Sequence, residues 1–388
     1  MARIVLSSYL VRFPLGGYLS WVLQWLVGFD RLGHDVYFFE QSRRNSRACF
    51  DPLQNIMTTD CSFGIQALNQ LLSRFNLQDR WSFVDADGNY RGMSRAEVES
   101  VFRSADVFID MSADLFLGGS EIWKEDISHA KRRVFVDGEP GHHQLLMWHA
   151  RGKGRTLPTY DCYYTVGANL SNDECTAPRI DRSWRHVFYP VVTDLFPVAA
   201  PPADAPFTTI MSWQAHDPVE WEGNTYGGKD LEFPKFADLP RNTSTQLEIA
   251  VAGKNVPRAN LEAAGWRVRD SHNISSTFDL FMQYIERSRG EFSVCKNVFV
   301  ALKTGWFGDR AAAYLASGRP VVMQDTGFSR HLPCGLGLFA VRTMEEAAAA
   351  FDSIESQYPR HSRAAREIAH EHLEASKVLS KFLDQVGS

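Results

Sequence analysis

The chain has 388 residues, 44% of them hydrophobic and 22% charged, with a formal net charge of -5. This length predicts two domains of roughly 150–200 residues. The negative net charge gives no overall attraction to nucleic acid, so we predict no nucleic-acid partner. The six cysteines are scattered without CxxC spacing, which disfavours a zinc ribbon or a redox pair and indicates a reducing, cytoplasmic compartment.

The first forty residues have the pattern of a strand–helix–strand unit of the doubly wound type. Residues 3–9 predict a buried strand, and residues 18–32 predict a helix with its apolar side chains on one face. Gly33 ends this helix, and residues 35–40 predict the second strand. The apolar run at 18–29 is too short to cross a membrane and lacks a small-residue cleavage site, so we expect neither an integral membrane segment nor a signal peptide.

The rest of the first half adds further strands. Residues 83–91 predict a hairpin, and residues 161–166 predict a short strand. Residues 106–110 and 133–137 predict two parallel strands, each of which ends in an aspartate. Side chains at these ends are expected at the edge of the sheet where doubly wound folds bind ligands.

A change of composition separates the two halves of the chain. Residues 195–207 contain four prolines and four alanines, which cannot build a packed element. Beyond them, the pattern predicts two more strands, a helix and a C-terminal helix, at residues 207–213, 246–252, 278–288 and 363–386. The predicted units are, in chain order, residues 1–195, 206–360 and 361–388.

Residues 303–328, "KTGWFGDRAAAYLASGRPVVMQDTGF", carry the strongest functional pattern. Gly305 and Gly308 interrupt a loop that enters a helix near Asp309. A helix N-terminus offers free backbone N–H groups and the positive end of the helix dipole, so this loop predicts a diphosphate site. The alternative is a glycine-rich loop that only enters a helix.

A second polar loop follows the short strand of the same unit. Gln324, Asp325 and Thr326 offer an amide, a carboxylate and a hydroxyl, and Gly327 exposes its backbone N–H. Polyhydroxylated ligands need such mixed donors and acceptors. An anion at one loop and a polyol at the other describe a nucleotide sugar.

The same stretch resembles the donor-binding half of GT-B glycosyltransferases. In that family, a glycine-bearing loop opens a helix that faces the diphosphate, a Gly-x-Pro-Val-Val turn and strand follow, and the next loop contacts the sugar. "SGRPVVMQDTGF" fits this pattern, and so does "GLGLFAVRTMEEAAAAFDSI", a strand followed by a helix with Thr343 and Glu346 as its capping box. The resemblance covers residues 291–388 and, less closely, residues 1–40, where "LVGFDRLGHDVYFFE" is similar to the family's first helix and second strand.

The resemblance implies an α/β protein with two Rossmann-like doubly wound domains facing across a cleft, and a C-terminal helix that crosses back to the first domain. It also implies that the second domain binds a nucleotide-sugar donor. Lys229 joins the predicted site because it follows two glycines, as phosphate-binding lysines often do; the alternative is a solvated loop lysine. The predicted donor-binding residues are Lys229, Gly305, Trp306, Gly308, Asp309, Arg310, Gln324, Asp325, Thr326 and Gly327.

The base that would deprotonate the acceptor is less obvious. In inverting members of the family, a His or Asp in the loop after the first strand often acts as this base. Here the loop reads "SSYLVRFPLGG" and contains neither, so the base lies elsewhere or the enzyme is a retaining one. "DGEPGHH" follows a predicted strand and can supply a base and a group that orients it. The predicted catalytic residues are Asp137, Glu139, His142 and His143; the alternative is a capped turn that starts a helix.

Metal ligation finds little support in the sequence. Asp85 and Asp87 form a DxD pattern, but they lie in a predicted hairpin turn, where Asp-Gly is normal turn chemistry. His142 and His143 are adjacent and would point apart on a helix. We predict no metal and no cofactor besides the nucleotide-sugar co-substrate, with the helix dipole and cationic groups stabilising the leaving diphosphate.

These observations predict a glycosyltransferase that moves a sugar from a nucleotide diphosphate donor to a small-molecule acceptor. Two alternatives stay open: a non-hydrolysing nucleotide-sugar epimerase of the same fold, and a catalytically inactive nucleotide-binding partner of an active transferase. Arg43, Arg44 and Arg47 could dock a lipid acceptor or form a solvated loop. The sequence leaves the oligomeric state open.

Asp309 and Asp325 have different predicted roles. A carboxylate that faces a diphosphate would repel it, so Asp309 is expected to point sideways and shape its loop. Asp325 is expected to accept hydrogen bonds from sugar hydroxyls. Asp325→Asn should therefore damage turnover and spare affinity for the bare nucleoside diphosphate, whereas Asp309→Asn should lower stability or the binding of both donor and diphosphate.

Overall fold

The computed structural model describes residues 1–42, 48–113 and 124–387. Arg43, Arg44 and Arg47, the predicted docking face or solvated loop, lie outside the described residues. The strands of the first half, within the described ranges, are β1 (Arg3–Ser7), β2 (Asp35–Gln41), β3 (Cys49–Asp51), β4 (Ile56–Thr58), β5 (Trp81–Val84), β6 (Tyr90–Gly92), β7 (Val107–Asp110), β8 (Arg132–Asp137), β9 (Cys162–Thr165) and β10 (Trp184–His186).

Eight of these strands form one sheet in the order β10-β9-β8-β7-β1-β2-β5-β6. All neighbours are parallel except β5 and β6, which form the predicted hairpin. The chain order reverses between β1 and β7, so the carboxyl ends of these strands and of β8 lie where doubly wound sheets bind ligands. In β1, Ile4, Val5 and Leu6 are all fully buried, as expected for a parallel sheet covered on both faces.

The second half forms its own sheet. Its strands are β11 (Phe207–Ser212), β12 (Val219–Trp221), β13 (Asn224–Tyr226), β14 (Leu247–Ala252), β15 (Arg267–Asp270), β16 (Gly290–Ser293), β17 (Val321–Gln324) and β18 (Leu338–Val341). Six of them form a fully parallel sheet in the order β15-β14-β11-β16-β17-β18, with its reversal between β11 and β16. The other two, β12 and β13, form an antiparallel hairpin. The predicted pair of doubly wound sheets is confirmed.

Helices alternate with the strands of both sheets, as in a doubly wound fold, and the last three helices follow the final strand. Their bounds within the described chain are α1 (Gly16–Arg31), α2 (Ser62–Ser73), α3 (Arg95–Arg103), α4 (Lys124–Ile127), α5 (His142–Gly152), α6 (Arg258–Ala264), α7 (His272–Ser275), α8 (Phe278–Arg287), α9 (Asn297–Ala301), α10 (Asp309–Ala316), α11 (Met344–Ser356), α12 (Tyr358–Ile368) and α13 (Ala375–Gly387).

The C-terminal segment crosses back to the first domain, as the resemblance implied. A Cβ on Gly28 of α1 would lie 2.5 Å from Leu379 of α13, so the two helices pack in direct contact. Trp25 and Phe382 meet edge to face with ring centroids 5.4 Å apart. The last helix is therefore part of the first domain's core although it follows the second domain in the chain.

The prediction of one continuous C-terminal helix is wrong. Between α12 and α13 the chain makes a π-helical turn at Ala369–Leu373. The Val191 N–H donates to the Leu373 carbonyl at 2.8 Å, and the Ala375 N–H donates to the Val191 carbonyl at 2.9 Å. This contact with a distant segment takes backbone groups that a regular helix would use, so the local pattern could not predict the break.

A disulfide joins Cys49 in β3 to Cys61, which directly precedes α2. The spacing of the cysteines did not predict this bond. Because disulfides form in oxidising environments, it removes the argument from the cysteines for a reducing compartment, and the cytoplasmic location stays a prediction. Within the described ranges, no helix combines the length and the apolar character that a bilayer crossing requires.

Candidate functional site

An ion pair joins the carboxyl edges of the two sheets. Glu139 lies two residues after the end of β8, and Lys296 lies three residues after the end of β16. The Lys296 Nζ is 2.6 Å from Oε1 and 2.5 Å from Oε2 of Glu139. Burial acts to raise the pKa of Glu139, but the charge of Lys296, the neighbouring His216 and the Lys296 hydrogen bond together outweigh burial and lower that pKa to about 2. The domains thus meet at the edges where such sheets bind ligands.

Asp137 is fully buried at the end of β8 and uses both carboxylate oxygens. Oδ1 accepts from the Glu139 N–H at 2.9 Å and lies 2.7 Å from Nδ1 of His143. Oδ2 accepts from Gln144 Nε2 at 2.9 Å and from Thr165 Oγ1 at 3.0 Å. Burial acts to lower the pKa of His143, but the hydrogen bond and charge of Asp137 outweigh it and raise that pKa. Asp137 is therefore a positioning group that orients His143 and the turn.

His142 points away from this pair and into the contact between the domains. Its ring stacks on that of His216, from the loop after β11, with centroids 4.7 Å apart and planes 17° apart. Burial is the main reason that the pKa of His142 falls to about 3. His216 Nε2 lies 3.9 Å from Oε2 of Glu139. The four predicted catalytic residues thus lie together, with His143 beside Asp137 and with Glu139 and His142 facing the second domain.

Lys229 is 6% exposed and has no hydrogen-bond or ion-pair partner in the part of the chain that the structure describes. Burial, followed by the positive charge of Arg310, lowers its pKa to about 7. Glu291 acts to raise this pKa but forms no ion pair with Lys229, so the lysine charge is only partly balanced and an anion would complete the site.

Backbone hydrogen bonds fix this lysine's loop beside the end of β16. The N–H groups of Asn297 and Val298 donate to the carbonyls of Gly228 and Gly227 at 3.0 and 3.1 Å. They place Lys229 near Lys296, and the Lys296 charge adds a smaller lowering of the Lys229 pKa to those of burial and Arg310. The second domain therefore presents two lysines on neighbouring loops, of which Lys296 is paired with Glu139.

The two glycine-bearing loops of residues 303–328 lie against each other. The Gly305 N–H donates to the Thr326 carbonyl at 2.8 Å, and Thr326 Oγ1 donates to the Trp306 carbonyl at 2.6 Å. A Cβ on Gly308, the N-cap of α10, would lie 2.9 Å from the Trp306 ring. That ring packs on Phe299 with centroids 4.8 Å apart. These predicted residues therefore form one packed unit.

A loop of the first domain fills the space in front of two of these glycines. Gly305 and Gly327 have φ angles of +72° and +98°, and added Cβ atoms would lie 2.8 Å from the Asn169 backbone nitrogen and 2.4 Å from its Nδ2. The Asn169 N–H and side-chain amide donate to the carbonyls of Thr304 and Lys303, each at 3.0 Å. At these points the glycines admit protein backbone and an asparagine side chain.

The start of α10 is also engaged by protein groups. The Arg310 guanidinium donates to Glu291 at 2.5 Å, to Ser293 Oγ at 2.9 Å and to the Ile210 carbonyl. Arg310 thus ties the helix to two strands of its own domain. Burial raises the pKa of Asp309, and Arg310 and the nearby backbone amides of residues 309 and 310 act to lower it. The Asp309 carboxylate therefore lies beside the helix start.

Gln324 is buried behind the lysines. Its Oε1 accepts from the Cys295 N–H at 3.1 Å, and its Nε2 donates to Glu232 at 2.6 Å. Glu232 also accepts from Asn297 Nδ2 at 2.8 Å. Gln324 thus braces the segment that carries Lys296.

Asp325 is held within its own loop. Its Oδ1 accepts from the Gly327 N–H at 2.8 Å, and its Oδ2 accepts from Ser329 Oγ at 3.1 Å and from Arg342 at 2.8 Å. The side chain of Asp325 is 5% exposed. Its contact with a sugar stays a prediction.

Sequence reasoning missed Lys296, His216 and Asn169. Lys296 follows "EFSVC" as Asp110 and Asp137 follow their strands, so a polar residue just past an apolar run was the available signal. His216 and Asn169 lie in irregular loops, and the packing of the two domains brings them against His142 and the Lys303 carbonyl. Local sequence offers no comparable signal for them.

The described chain contains cavities of different size, one beside His143 and one away from the predicted site residues. One of about 180 Å³ lies along α5 and is lined by residues that include His143, Lys153 and Arg155. A larger, open one of about 1180 Å³ lies between α2 and the β5–β6 edge. No group of three or more His, Cys, Asp or Glu among the described residues is arranged to hold a metal ion.

No family model and no curated protein sequence matches the chain. Solved structures do resemble it in shape. Sucrose-phosphate synthase from Thermosynechococcus elongatus is 12% identical, with a TM-score of 0.55 over 99% of this chain and 98% of that chain. Anabaena Alr3699/HepE in complex with UDP and glucose is 9% identical, with a TM-score of 0.56 over 100% of each chain.

A third similar structure corrects one prediction. An alpha-glucosyltransferase in complex with UDP and a 13-mer DNA containing an A:G mismatch is 10% identical, with a TM-score of 0.57 over 100% of this chain and 99% of that chain. Nucleic acid therefore occurs as a partner of a protein with this fold. The prediction of no nucleic-acid partner is wrong, because it used net charge to exclude one. Net charge says little about a local surface. Taken with the two parallel sheets whose carboxyl edges meet, these similarities show that the chain has the GT-B glycosyltransferase fold.

Proposed function

We propose that the chain is a glycosyltransferase that uses a nucleotide diphosphate sugar as donor. One observation carries the proposal: Lys229 is 6% exposed, its side chain makes no ion pair or hydrogen bond with any described residue, and it lies near Lys296 at the ligand-binding edge of the second sheet. A diphosphate is the anion that two adjacent lysines suit, because its charge is spread over several oxygens. Transfer needs such cations, because negative charge develops on the leaving diphosphate.

The first domain supplies groups suited to the acceptor side. Asp137 orients His143, and Glu139 reaches across the cleft to Lys296. A carboxylate or an imidazole in this place can accept the proton of an acceptor hydroxyl. We propose that no metal ion is needed, since Lys229 and Lys296 can neutralise the diphosphate. Activity that survives a chelator and does not respond to added Mg²⁺ or Mn²⁺ would support this point.

The structures of similar fold suggest which ligands to try first. Two of them are complexes with UDP and glucose and with UDP-glucose, so uridine nucleotides are the first choice. Some of those complexes contain DNA, so the acceptor panel includes duplex DNA as well as free sugars and other small hydroxyl compounds.

Binding is tested by thermal shift and isothermal titration with UDP, GDP, ADP and dTDP. A ligand at 100 times its Kd stabilises the folded protein by about 2.7 kcal/mol, which is readily measured. We expect one nucleoside diphosphate to be preferred. The absence of stabilisation by all four would contradict the donor site.

Turnover is tested by release of nucleoside diphosphate from sugar donors, with and without acceptors. Acceptor-dependent release and a glycosylated product are the expected result. Conversion of the donor sugar without any acceptor would instead indicate an epimerase. Tight donor binding without turnover on the whole panel would indicate an inactive partner protein.

A further inference from the structure

The pairing of Glu139 with Lys296 has a consequence for how the donor enters. Lys296 is the only one of the two adjacent lysines that has an anionic partner among the described residues, and that partner comes from the other domain. The two carboxylate oxygens contact one ammonium group at 2.5 and 2.6 Å, as two oxygens of a phosphate could. The side chain of Glu139 is 25% exposed and that of Lys296 is 15% exposed. A phosphate therefore cannot share the lysine without displacing the carboxylate.

We propose that Glu139 occupies, on Lys296, the place that a phosphate group of the donor takes, so that donor binding exchanges one anion for the other and frees Glu139 in the cleft. This inference rests on the proposed function. A diphosphate can win the exchange because it carries more charge than a carboxylate and can also reach the unpaired Lys229. Donor binding therefore breaks the ion pair between the two domains.

The backbone around Glu139 allows such an exchange. The Glu139 N–H donates to Asp137 at 2.9 Å, and the Glu139 carbonyl accepts from the His143 N–H at 3.0 Å. Gly141 has a φ of +84°, and an added Cβ there would lie 3.0 Å from Leu302, so the turn packs directly on the second domain. The main chain is therefore fixed, and only the Glu139 side chain needs to rotate.

Release also changes the chemistry of the carboxylate. Burial acts to raise the pKa of Glu139, and Lys296 is the main group that lowers it. When a phosphate neutralises Lys296, the effect of burial remains and the carboxylate becomes a stronger base. Glu139 would then be available as a proton acceptor only when a donor is bound.

The test measures nucleoside diphosphate affinity by titration in Glu139→Gln, Lys296→Met and the double variant. Glu139→Gln should bind the diphosphate roughly tenfold more tightly than wild type, because the internal competitor is gone. Lys296→Met should bind more weakly, and adding Glu139→Gln to Lys296→Met should change affinity by less than about twofold, because the lysine that couples them is absent. Glu139→Ala repeats the measurement if the glutamine variant is unstable.

The control is Asp217→Asn. Asp217 is exposed near His216, and no contact with Lys296 is among those of the described residues. The variant therefore removes one negative charge near the site and leaves Glu139, the internal competitor, in place. The inference is overturned if Glu139→Gln binds the diphosphate no more tightly than wild type. It is also overturned if Asp217→Asn gains as much affinity as Glu139→Gln, or if Glu139→Gln gives the same gain when Lys296→Met is present. If wild type binds a nucleoside diphosphate and the gain is missing, only the inference fails. If no variant binds one, the proposed function fails with it.

Discussion

The two glycine-bearing loop systems of the second domain look alike in sequence and differ in what they face. Gly305 and Gly327 face Asn169 of the first domain, whose backbone and side chain fill the space in front of them. Gly227 and Gly228 pack on the segment after β16 and leave Lys229 buried beside Lys296. A glycine shows that something approaches the backbone closely, but whether it is a ligand or another loop depends on the assembled domains.

The largest expected effect tests the packed loops. Gly305→Ala should lower the free energy of unfolding by about 2–4 kcal/mol. The alanine would have to adopt a positive φ, and its Cβ would overlap the Asn169 backbone. Gly33→Ala is the matched control: its φ is +79° but nothing lies within 4 Å, so it should cost only about 1–2 kcal/mol. Denaturant unfolding measures both. Equal costs would mean that the interdomain contact at Gly305 is loose.

The unpaired lysine is tested next. Lys229→Met should weaken nucleoside diphosphate binding about 100-fold, since a hydrogen bond to a charged group contributes up to about 3 kcal/mol. The same change should raise the melting temperature of the ligand-free protein, because it removes a buried charge that has no partner in the described chain. Lys235→Met is the control: this lysine is largely exposed and paired with Glu232. Unchanged affinity in Lys229→Met would move the diphosphate elsewhere.

The pH dependence of binding sharpens the same point. With the pKa of Lys229 near 7, diphosphate affinity should fall about fivefold between pH 7 and pH 8, because binding favours the protonated amine. Burial lowers this pKa most, the charges of Arg310 and Lys296 lower it further, and the charge of Glu291 acts to raise it. Calorimetric titration across pH 6 to 9 measures the effect. Lys229→Arg should remove the pH dependence, because arginine stays charged throughout.

The same lowered pKa predicts the sign of a stability effect. Between about pH 7 and the ordinary pKa of 10.5, the unfolded lysine binds a proton that the folded one lacks. The contribution of Lys229 to stability therefore rises with pH in this window. The measurement is the free energy of unfolding of the ligand-free protein minus that of Lys229→Met, from about pH 7 to 10. A difference that falls as the pH rises would contradict the lowered pKa.

The smallest expected change in binding concerns Asp325. Asp325→Asn should leave nucleoside diphosphate affinity within about twofold and lower the free energy of unfolding by about 1 kcal/mol, because the carboxylate accepts two hydrogen bonds from its own loop and one from Arg342. Turnover should fall, because this loop lies at the predicted sugar end. Ser329→Ala, which removes one of these bonds, controls for loop disorder. Loss of diphosphate binding in Asp325→Asn would reverse the predicted placement of sugar and phosphate.

The amino-acid sequence by itself determined the alternation of strands and helices, the two sheets, and the strand-end positions of Asp110 and Asp137. It did so because burial on both faces of a parallel sheet leaves continuous apolar runs, and because glycine and proline mark where those runs end. It also indicated Lys229 and the "DGEPGHH" turn. These are local patterns, and periodicity and turn chemistry act within a few residues of each other.

Only the tertiary structure decided which residues meet. The Glu139–Lys296 pair, the His142–His216 stack and the contact of Asn169 with Gly305 and Gly327 each join residues more than 70 positions apart. The break between α12 and α13 likewise depends on a bond to Val191. Long-range contacts leave no periodic trace in either partner, because each side chain is compatible with its own local structure whether or not the other is present.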